Sequence, residues 1–418
     1  MADGTVSPNL ALNQLVAQRR AEGDPIVHLG FGEARLPAFG PLMEGLVGAA
    51  DRNAYGPVAG GLAVRTAVAG YFGRRGLPTD PDQVVVAPGS KPLLMALQLT
   101  AVGDLLLPQP AWNTYAPQAR LAGKRAFGVP LPDECGGVPD PAALKETIDA
   151  ARTLGHDPRV LVLTLPDNPT GTLASPALIR EICAIAETED LLIVSDEIYR
   201  DVVHDPALPV LSPAEVAPRR TVVTTGLSKS LALGGWRIGA ARFPGGPWGT
   251  RLREGVVSVA SEVWSTLAAP MQAVATYAFD EPAELRAWRA KAARLHGAVA
   301  RAVHGIMVSA GANCRPPVGA FYVYPDFEPV RERLAKHGVT DSPSLFQHLL
   351  DVHGIAVLAG HHLGDSRQAL RFKAATSMLY GDTEAEQQQA LDAANPVALP
   401  HVKQVLATLE KSFNALCA

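Results

Sequence analysis

The chain has 418 residues, a formal net charge of −4, 47% hydrophobic residues and 19% charged residues. This length and composition exclude a disordered chain and a coiled coil, and they allow a large buried core. The nearly balanced charge, without a basic stripe, argues against a nucleic-acid partner. Because we find no secretory leader pattern, no apolar run of about 18 residues and no disulfide or zinc spacing among the four cysteines, we expect a cytoplasmic protein without a membrane segment or a metal site.

Short apolar segments alternate with helical segments from about residue 83 onwards. The predicted strands cover residues 83–87, 159–165, 191–194 and 221–225, and the predicted helices cover residues 93–99 and 175–187, the second with Ser175 as its N-cap. Strands that are apolar throughout and are separated by helices are typical of a parallel sheet buried on both faces. The sequence therefore predicts an α/β fold with a mostly parallel central sheet flanked by helices.

The pattern changes after about residue 290, where long helical stretches and a few alternating strands, at 319–324 and 368–373, follow one another. This change predicts a second, smaller α+β domain that the N-terminal residues complete. We therefore expect an N-terminal arm and part of the small domain at 1–45, a large domain at 46–288 and the C-terminal small domain at 289–418.

Reactive side chains follow the predicted strands at their carboxyl ends, where parallel sheets bind ligands. Lys229 comes shortly after the strand at 221–225, and a lysine that emerges from an apolar segment suits Schiff-base formation with an aldehyde. Arg237, among glycines, suits a phosphate group held near that aldehyde. Ser90 and Lys91 begin a predicted helix, whose free N–H groups also favour an anion. These residues predict a site for a phosphorylated aldehyde.

Residues at two other strand ends predict further chemical groups of the same ligand. Asp196 follows the strand at 191–194, and a buried carboxylate needs a cationic partner, which a protonated pyridine nitrogen supplies. Tyr199 can reach the same ligand through its hydroxyl, and Asn168 offers an amide from a proline-rich turn. An aldehyde, a phosphate, a pyridine nitrogen and a phenolic oxygen together describe pyridoxal 5′-phosphate (PLP), which we therefore predict as the cofactor of the large domain.

Three motifs in this order resemble those of the class I/II aminotransferases, the fold-type-I PLP-dependent enzymes. They are Asn-Pro-Thr-Gly at 168–171, Ser-Asp-Glu-Ile-Tyr at 195–199, and Ser-Lys at 228–229 followed by Gly-Trp-Arg-Ile-Gly at 235–239. A Tyr-Gly-Pro segment at 55–57 matches as well, and the resemblance extends from about Leu29 to Tyr380. It implies a fold-type-I transferase that moves the α-amino group of an L-amino acid to a 2-oxo acid.

The resemblance also assigns roles to individual residues. It implies that Lys229 holds the cofactor as a Schiff base and later moves the Cα proton of the substrate, while Asp196 keeps the ring nitrogen protonated. The implied cofactor contacts are Ser90, Lys91 (through its backbone), Trp112, Asn168, Asp196, Tyr199, Ser228, Lys229, Arg237 and, from the neighbouring subunit, Tyr55. Arg371 is expected to bind the α-carboxylate of the substrate with help from Gly32 and Asn168. A homodimer with shared active sites follows from the role of Tyr55.

One departure from the family pattern concerns the phosphate. Gly226 stands where relatives usually place a Ser or Thr that binds the phosphate. The loss of one such hydrogen bond is expected to weaken cofactor binding by about 1–3 kcal/mol, unless Thr225 or Ser228 replaces it.

A second departure concerns the substrate. Lys373 follows Arg371 by two residues and is expected to point the same way, because alternate residues of a strand share a face. It either pairs with a carboxylate such as Asp326 or Asp365, or provides a second cation for an acidic or phosphorylated substrate group. The sequence leaves both readings open, and it leaves the substrate itself open.

Two alternatives to transamination remain at this point. The first is a PLP enzyme of the same fold that catalyses β/γ-elimination or replacement, C–C bond formation or oxidation, for example in specialised-metabolite biosynthesis. Gly226, Lys373 and Glu33 suggest it because an altered site suggests an altered substrate. The second is a PLP-responsive regulator, which requires an added DNA-binding module that we do not find before Leu29. Glu262 and His362 are weaker candidates for contacts with the substrate.

Overall fold

The computed structural model describes residues 6–417. Its strands are β1 (Val27–His28), β2 (Val84–Ala87), β3 (Asp104–Gln109), β4 (Ala126–Pro130), β5 (Pro158–Thr164), β6 (Leu192–Asp196), β7 (Thr221–Gly226), β8 (Gly239–Arg242), β9 (Tyr322–Val323), β10 (Ile355–Ala356), β11 (Leu358–Ala359) and β12 (Phe372–Ala375).

The helices surround these strands and occupy most of the C-terminal part of the chain. They are α1 (Pro8–Ala21), α2 (Gly40–Val47), α3 (Leu62–Gly73), α4 (Ser90–Thr100), α5 (Tyr115–Leu121), α6 (Pro141–Thr153), α7 (Pro176–Thr188), α8 (Pro213–Val216), α9 (Leu227–Ser230), α10 (Gly246–Val263), α11 (Ala269–Asp280), α12 (Ala283–Ser309), α13 (Arg331–Ala335), α14 (Ser342–His353), α15 (Glu384–Asp392) and α16 (Pro400–Leu416). Within residues 6–417, none of them is both long and apolar enough to cross a membrane.

The largest sheet among the described residues has seven strands in the order β2-β8-β7-β6-β5-β3-β4. Strands β3 to β7 run parallel to one another, and β8 lies antiparallel between β2 and β7. The prediction of a mostly parallel α/β sheet is confirmed. The four predicted strands correspond to β2, β5, β6 and β7, and Ser175 caps α7 by accepting a hydrogen bond from the Leu178 amide at 3.3 Å.

Burial on both faces explains why the central strands are apolar at every position. Val160 and Val162 of β5 pack into one hydrophobic cluster, whereas Leu161 and Leu163 pack into a second cluster on the other side of the sheet. Each of these side chains is almost completely buried, and burial of one such side chain contributes about 1.5–3 kcal/mol. The sheet therefore holds the ends of β5, β6 and β7 in fixed positions.

The C-terminal part of the chain forms a smaller antiparallel sheet in the order β11-β12-β9, and β1 pairs in parallel with β10. The strands predicted at 319–324 and 368–373 are shorter or shifted, since they form as Tyr322–Val323 and Phe372–Ala375. Helix α12 runs without a break through the predicted domain boundary at 288/289. The three domain ranges stay a prediction.

A cluster of buried charges joins the helices next to the large sheet. Glu281 contacts Arg75 at 2.6 Å, Arg289 at 2.7 Å and Arg74 at 2.8 Å, and Asp201 contacts Arg75 at 2.7 Å. Burial by itself raises the pKa of Glu281, but the hydrogen bonds and charges of these arginines outweigh burial and lower the pKa to about 2. The cluster therefore keeps its carboxylates ionised.

Replacing Glu281 with glutamine is expected to lower the free energy of unfolding by about 3–5 kcal/mol, because Asp201 alone then has to neutralise the buried Arg75 and Arg289. Urea unfolding at neutral pH measures the loss. Asp24→Asn is the control, since its partly exposed pair with Arg19 should contribute less than about 1 kcal/mol. The contribution of Glu281 is complete above its unfolded pKa of 4.5 and is lost as the pH falls through about 2. Equal effects of the two substitutions would contradict this account.

Candidate active site

A cleft of about 390 Å³ opens at the carboxyl ends of β5, β6 and β7. Asn168 lies in the loop after β5, Asp196 is the last residue of β6, and Lys229 lies in α9 directly after β7. The predicted site residues that line this cleft are Gly32, Ser90, Lys91, Trp112, Asn168, Asp196, Tyr199, Ser228, Lys229 and Arg237. The topology thus brings together segments that are far apart in the sequence.

Lys229 lines the cleft. Its Nζ donates a hydrogen bond to the carbonyl oxygen of Gly32. Burial lowers the pKa of Lys229 to about 8, with further lowering by Arg237 and Lys91, although Glu33 acts in the opposite direction. At a pKa of about 8 a far larger fraction of the amine is neutral near pH 7 than in an ordinary lysine, and the neutral amine is the form that attacks an aldehyde.

The lowered pKa predicts how the protein without cofactor should react with an aldehyde. The rate of covalent capture by Lys229 should rise as the pH increases through about 8, whereas an ordinary lysine reaches its neutral form only near pH 10.4. Stopped-flow absorbance after addition of pyridoxal phosphate at a series of pH values measures this rate. Lys229→Ala provides the background from surface lysines. A half-maximal rate near pH 10 would show that the cleft does not desolvate Lys229.

Asp196 is a buried carboxylate that receives two hydrogen bonds. The Tyr115 hydroxyl donates to Oδ2 at 2.9 Å, and the Thr224 hydroxyl donates to Oδ1 at 3.1 Å. Burial raises the pKa of Asp196 to about 6, although both hydrogen bonds favour the ionised form. No residue within 6–417 forms a salt bridge with it, so the carboxylate can accept a cationic ring nitrogen as its partner.

Further polar groups line the cleft near Asp196. The hydroxyls of Tyr199 and Tyr322 lie 2.5 Å apart. The amide oxygen of Asn168 is buried and has no hydrogen-bond partner among the described residues. A buried polar atom without a partner is costly unless a ligand or water satisfies it, so Asn168 Oδ1 is available to a hydrogen-bond donor of a ligand or water.

An anion site lies where α4 begins. Gly89 has a φ of +96°, and a Cβ atom there would lie 2.2 Å from the Arg237 guanidinium, so a glycine is required. Arg237 has a φ of 55° and donates hydrogen bonds to Gly234 O at 2.9 Å and to Ser228 Oγ at 3.4 Å. The guanidinium and the free N–H groups of α4, beginning at Ser90, face the same cleft. Together they fit a phosphate group.

Trp112 supplies an aromatic surface beside these groups. Its ring makes an edge-to-face contact with Tyr115 at 5.3 Å, and the Lys91 Nζ lies 5.2 Å from the Trp112 ring centroid. An anion site, a lysine of lowered pKa, an unsatisfied amide and a buried carboxylate therefore share one cleft. These residues fit PLP.

Comparisons with known proteins agree with this chemistry. The family model described as aminotransferase class I and II matches residues 43–384. The chain belongs to this family. It is 30% identical to the aspartate/prephenate aminotransferase of Thermus thermophilus, over 81% of this chain and 88% of the relative. It is 29% identical to the aspartate aminotransferase of Geobacillus stearothermophilus, over 92% and 96% of the two chains.

A solved structure shows the same architecture. The aspartate aminotransferase of Thermus thermophilus with maleate superposes with a TM-score of 0.80 and 26% sequence identity, and the match covers 93% of this chain and 96% of that chain. Members of the class I and II aminotransferase family are generally PLP-dependent. The predicted family, fold and enzyme class, a PLP-dependent transferase, are confirmed, and amino group transfer is favoured over the alternative chemistries.

Gly226 has a packing reason in this aminotransferase. A Cβ atom at position 226 would lie 2.8 Å from the carbonyl oxygen of Ile238 and 3.1 Å from Ile198 Cδ1. Strands β7 and β8 are therefore too close at this point for a serine or threonine. Ser228 lines the cleft, whereas Thr225 does not, so Ser228 is the hydroxyl available to a phosphate.

Arg371 is not brought to the cleft. Its guanidinium contacts Asp326 at 2.9 Å and Asp365 at 3.4 Å and lines a separate cavity of about 250 Å³. The expectation that Arg371 and Lys373 point the same way is wrong, because Asp326 and Asp365 hold the Arg371 guanidinium at a different cavity from the one that Lys373 lines. A contact between Arg371 and a substrate carboxylate stays a prediction.

Lys373 does not lie beside Arg371, and it does not form the ion pair with Asp326 or Asp365 that the sequence left open. It lines the cleft, and Arg371 occupies the carboxylates of Asp326 and Asp365 instead. Tyr55 is 90% exposed and lies outside the cleft of its own chain, so its contribution to a neighbouring subunit stays a prediction. Glu33 lies at the cleft, whereas Glu262 and His362 do not line it.

Several residues that shape the site are not predicted from the sequence. Tyr115, Thr164, Thr224 and Tyr322 contact Asp196 or Tyr199, directly or through one hydroxyl. Thr164 and Thr224 are polar residues at or near the ends of apolar strands, and this is the same signal that identified Asp196. No local sequence pattern predicts the role of Tyr115, because its contact with Asp196 depends on the packing of α5 against the sheet.

Proposed function

We propose that this chain binds PLP in the cleft and transfers the α-amino group of a dicarboxylic L-amino acid, such as L-aspartate, to a 2-oxo acid. The observation that carries the proposal is the convergence of Lys229 and Asp196 in one cleft, with an anion site at the start of α4. An aldehyde-reactive amine, a carboxylate for a ring nitrogen and a phosphate site have the chemistry that PLP requires.

Bound PLP supplies the electron sink that stabilises negative charge at the substrate Cα. The residues of the chain move the proton and hold the cofactor in place. Once the substrate amine has taken its place on the cofactor, Lys229 Nζ would be free to accept the Cα proton and to give it back, acting as a general base and then as a general acid. Its lowered pKa suits both roles, because the amine can gain and lose a proton near neutral pH.

Asp196 keeps a proton on the ring nitrogen through its negative charge. Tyr115 and Thr224 hold the carboxylate in place through their hydrogen bonds. Asn168 and Tyr199 orient the phenolic oxygen, while Arg237, Ser90 and Ser228 hold the phosphate; these roles are part of the proposal.

The names of the relatives support a dicarboxylic amino acid as the substrate. Two curated relatives are an aspartate/prephenate aminotransferase and an aspartate aminotransferase, and a solved relative was described with maleate, a dicarboxylate. We also propose a homodimer, which the exposure of Tyr55 supports. A cytoplasmic location stays a prediction.

A half-reaction tests the function. Holoenzyme incubated with L-aspartate alone should release about one equivalent of oxaloacetate per chain and then stop, and addition of 2-oxoglutarate should restart the reaction. A panel of other L-amino acids, analysed by mass spectrometry, follows if L-aspartate does not react. Continuous release of ammonia without a 2-oxo acid acceptor would contradict amino group transfer and indicate elimination or oxidation.

A further inference from the structure

Another cavity, of about 570 Å³, lies at the edge of the large sheet opposite to the active-site cleft. Arg159 borders it at the start of β5, Leu192 at the start of β6 and Arg220 directly before β7. The cavity therefore meets the amino ends of the same strands whose carboxyl ends form the cleft, and the two share no lining residue. Its volume is in the usual range of sites for small molecules.

Four arginines and two aspartates are the charged residues that line this arginine cavity, so it has an excess of positive charge although the whole chain has a net charge of −4. Asp157 contacts Arg159 at 2.8 Å, and Asp190 contacts Arg159 at 2.8 Å and Arg220 at 3.6 Å. Arg220 Nη1 also donates a hydrogen bond to the carbonyl oxygen of Leu191 at 2.9 Å. Both aspartates are thus already paired, and they hold two of the guanidinium groups in place.

The other two arginines of the cavity, Arg219 and Arg251, lack such a partner. Both are exposed, and neither forms a salt bridge within residues 6–417. Guanidinium groups bind phosphate oxygens through paired, charge-assisted hydrogen bonds. Two unpaired guanidinium groups at one cavity therefore suit a ligand with more than one negative charge.

Helix α10 adds an aromatic ring and a helix N-terminus to the arginine cavity. Trp248, which is 42% exposed, lies in the first turn of α10, and Arg251 follows it by three residues, so the indole and the guanidinium are neighbours on the helix. Gly245 at the N-cap provides no side-chain cap, which leaves N–H groups of the first turn free for an anion. A planar ring stacked on Trp248 would bring phosphates attached to it within reach of Arg251.

We propose that the arginine cavity binds a nucleoside diphosphate, with the base on Trp248 and the phosphates on Arg219 and Arg251. Two phosphates match the two unpaired guanidinium groups in number, and the base covers the exposed indole. The inference goes beyond the proposed function and does not depend on it, because it uses no residue of the active-site cleft.

Isothermal titration calorimetry of the PLP-loaded protein with ADP tests the inference, since bound PLP keeps ADP out of the anion site at α4. We expect one ADP per chain with a dissociation constant below about 1 mM. The double variant Arg219→Gln and Arg251→Gln should bind ADP at least about 10-fold more weakly, because two charge-assisted contacts are lost. Arg180→Gln is the matched control, an exposed arginine of α7 outside the cavity, and should change the dissociation constant less than about 2-fold.

Fragments of the nucleotide separate the two contacts. Adenosine, which lacks the phosphates, and inorganic phosphate, which lacks the ring, should each bind at least about 10-fold more weakly than ADP. Trp248→Leu should weaken the binding of ADP and leave the binding of inorganic phosphate unchanged, because only the ring contacts the indole.

Three results would overturn the inference. The first is the absence of saturable ADP binding in the millimolar range. The second is an unchanged ADP affinity in the double variant, which would place the nucleotide elsewhere on the protein. The third is equal affinity for ADP and inorganic phosphate with no effect of Trp248→Leu, which would reduce the cavity to an unselective anion site.

Discussion

Replacing Lys229 with alanine is expected to lower the rate of amino group transfer at least about 10³-fold, because one side chain provides both the nucleophile for the cofactor and the base for the Cα proton. The rate of 2-oxo acid formation from L-aspartate, or from the best amino acid in the panel, measures the loss. The fold should be preserved, since Lys229 makes a single hydrogen bond, to Gly32, and its removal takes a buried charge out of the cleft.

A chemical readout separates this loss from a loss of structure. Treatment of the wild-type holoenzyme with borohydride should fix the cofactor to Lys229, detected as a stable mass increase on the peptide that contains it. Lys229→Ala should show no such increase at any cleft lysine. Lys91→Met removes a different lysine from the same cleft and should keep the label on Lys229. A label on Lys91 or Lys373 in the wild-type protein would refute the assignment of Lys229.

Replacing Asp196 with asparagine is expected to lower kcat about 10²–10³-fold, the usual effect of removing one preorganised electrostatic contact at a reacting centre. Asparagine keeps the size of the side chain and can accept the hydrogen bonds from Tyr115 or Thr224. It cannot carry the negative charge that holds a proton on the ring nitrogen. Single-turnover reaction with an amino acid, followed by absorbance, measures the chemical step apart from product release.

Thr224→Val provides the matched control for this substitution. It removes one hydrogen bond to Asp196 and leaves the carboxylate in place, so we expect a loss of about 10-fold or less. If Asp196→Asn and Thr224→Val lower the rate equally, the charge of Asp196 has no special role. A kcat of Asp196→Asn within about 3-fold of wild type would place the ring nitrogen elsewhere.

The central sheet and the main residues of the site could be predicted from the sequence. Val160 to Leu163 are apolar at every position because successive side chains enter different clusters on the two faces of the sheet, and this pattern is visible in the sequence alone. Parallel strands place their carboxyl ends at one edge. For this reason Asn168, Asp196 and Lys229 could be expected to meet before any coordinates were known.

Contacts between distant segments could not be predicted from the sequence. Tyr115 reaches Asp196 through the packing of α5, and Gly226 is required because Ile238 of the neighbouring segment lies against it. Neither contact has a periodic signature in the sequence. From the sequence, the absence of a hydroxyl at position 226 suggested weaker phosphate binding. The structure shows that β7 and β8 lie too close together there for any side chain.

The choice between two cations shows most clearly what each level determines. The sequence predicted that Arg371 binds the substrate and left open whether Lys373 pairs with a carboxylate or adds a second cation. Only the tertiary structure shows that Asp326 and Asp365 approach Arg371 from other parts of the chain, whereas Lys373 is buried at the cleft and forms no salt bridge among residues 6–417. Local patterns determine elements and the residues at their ends, whereas competition between charges is settled only when distant segments pack together.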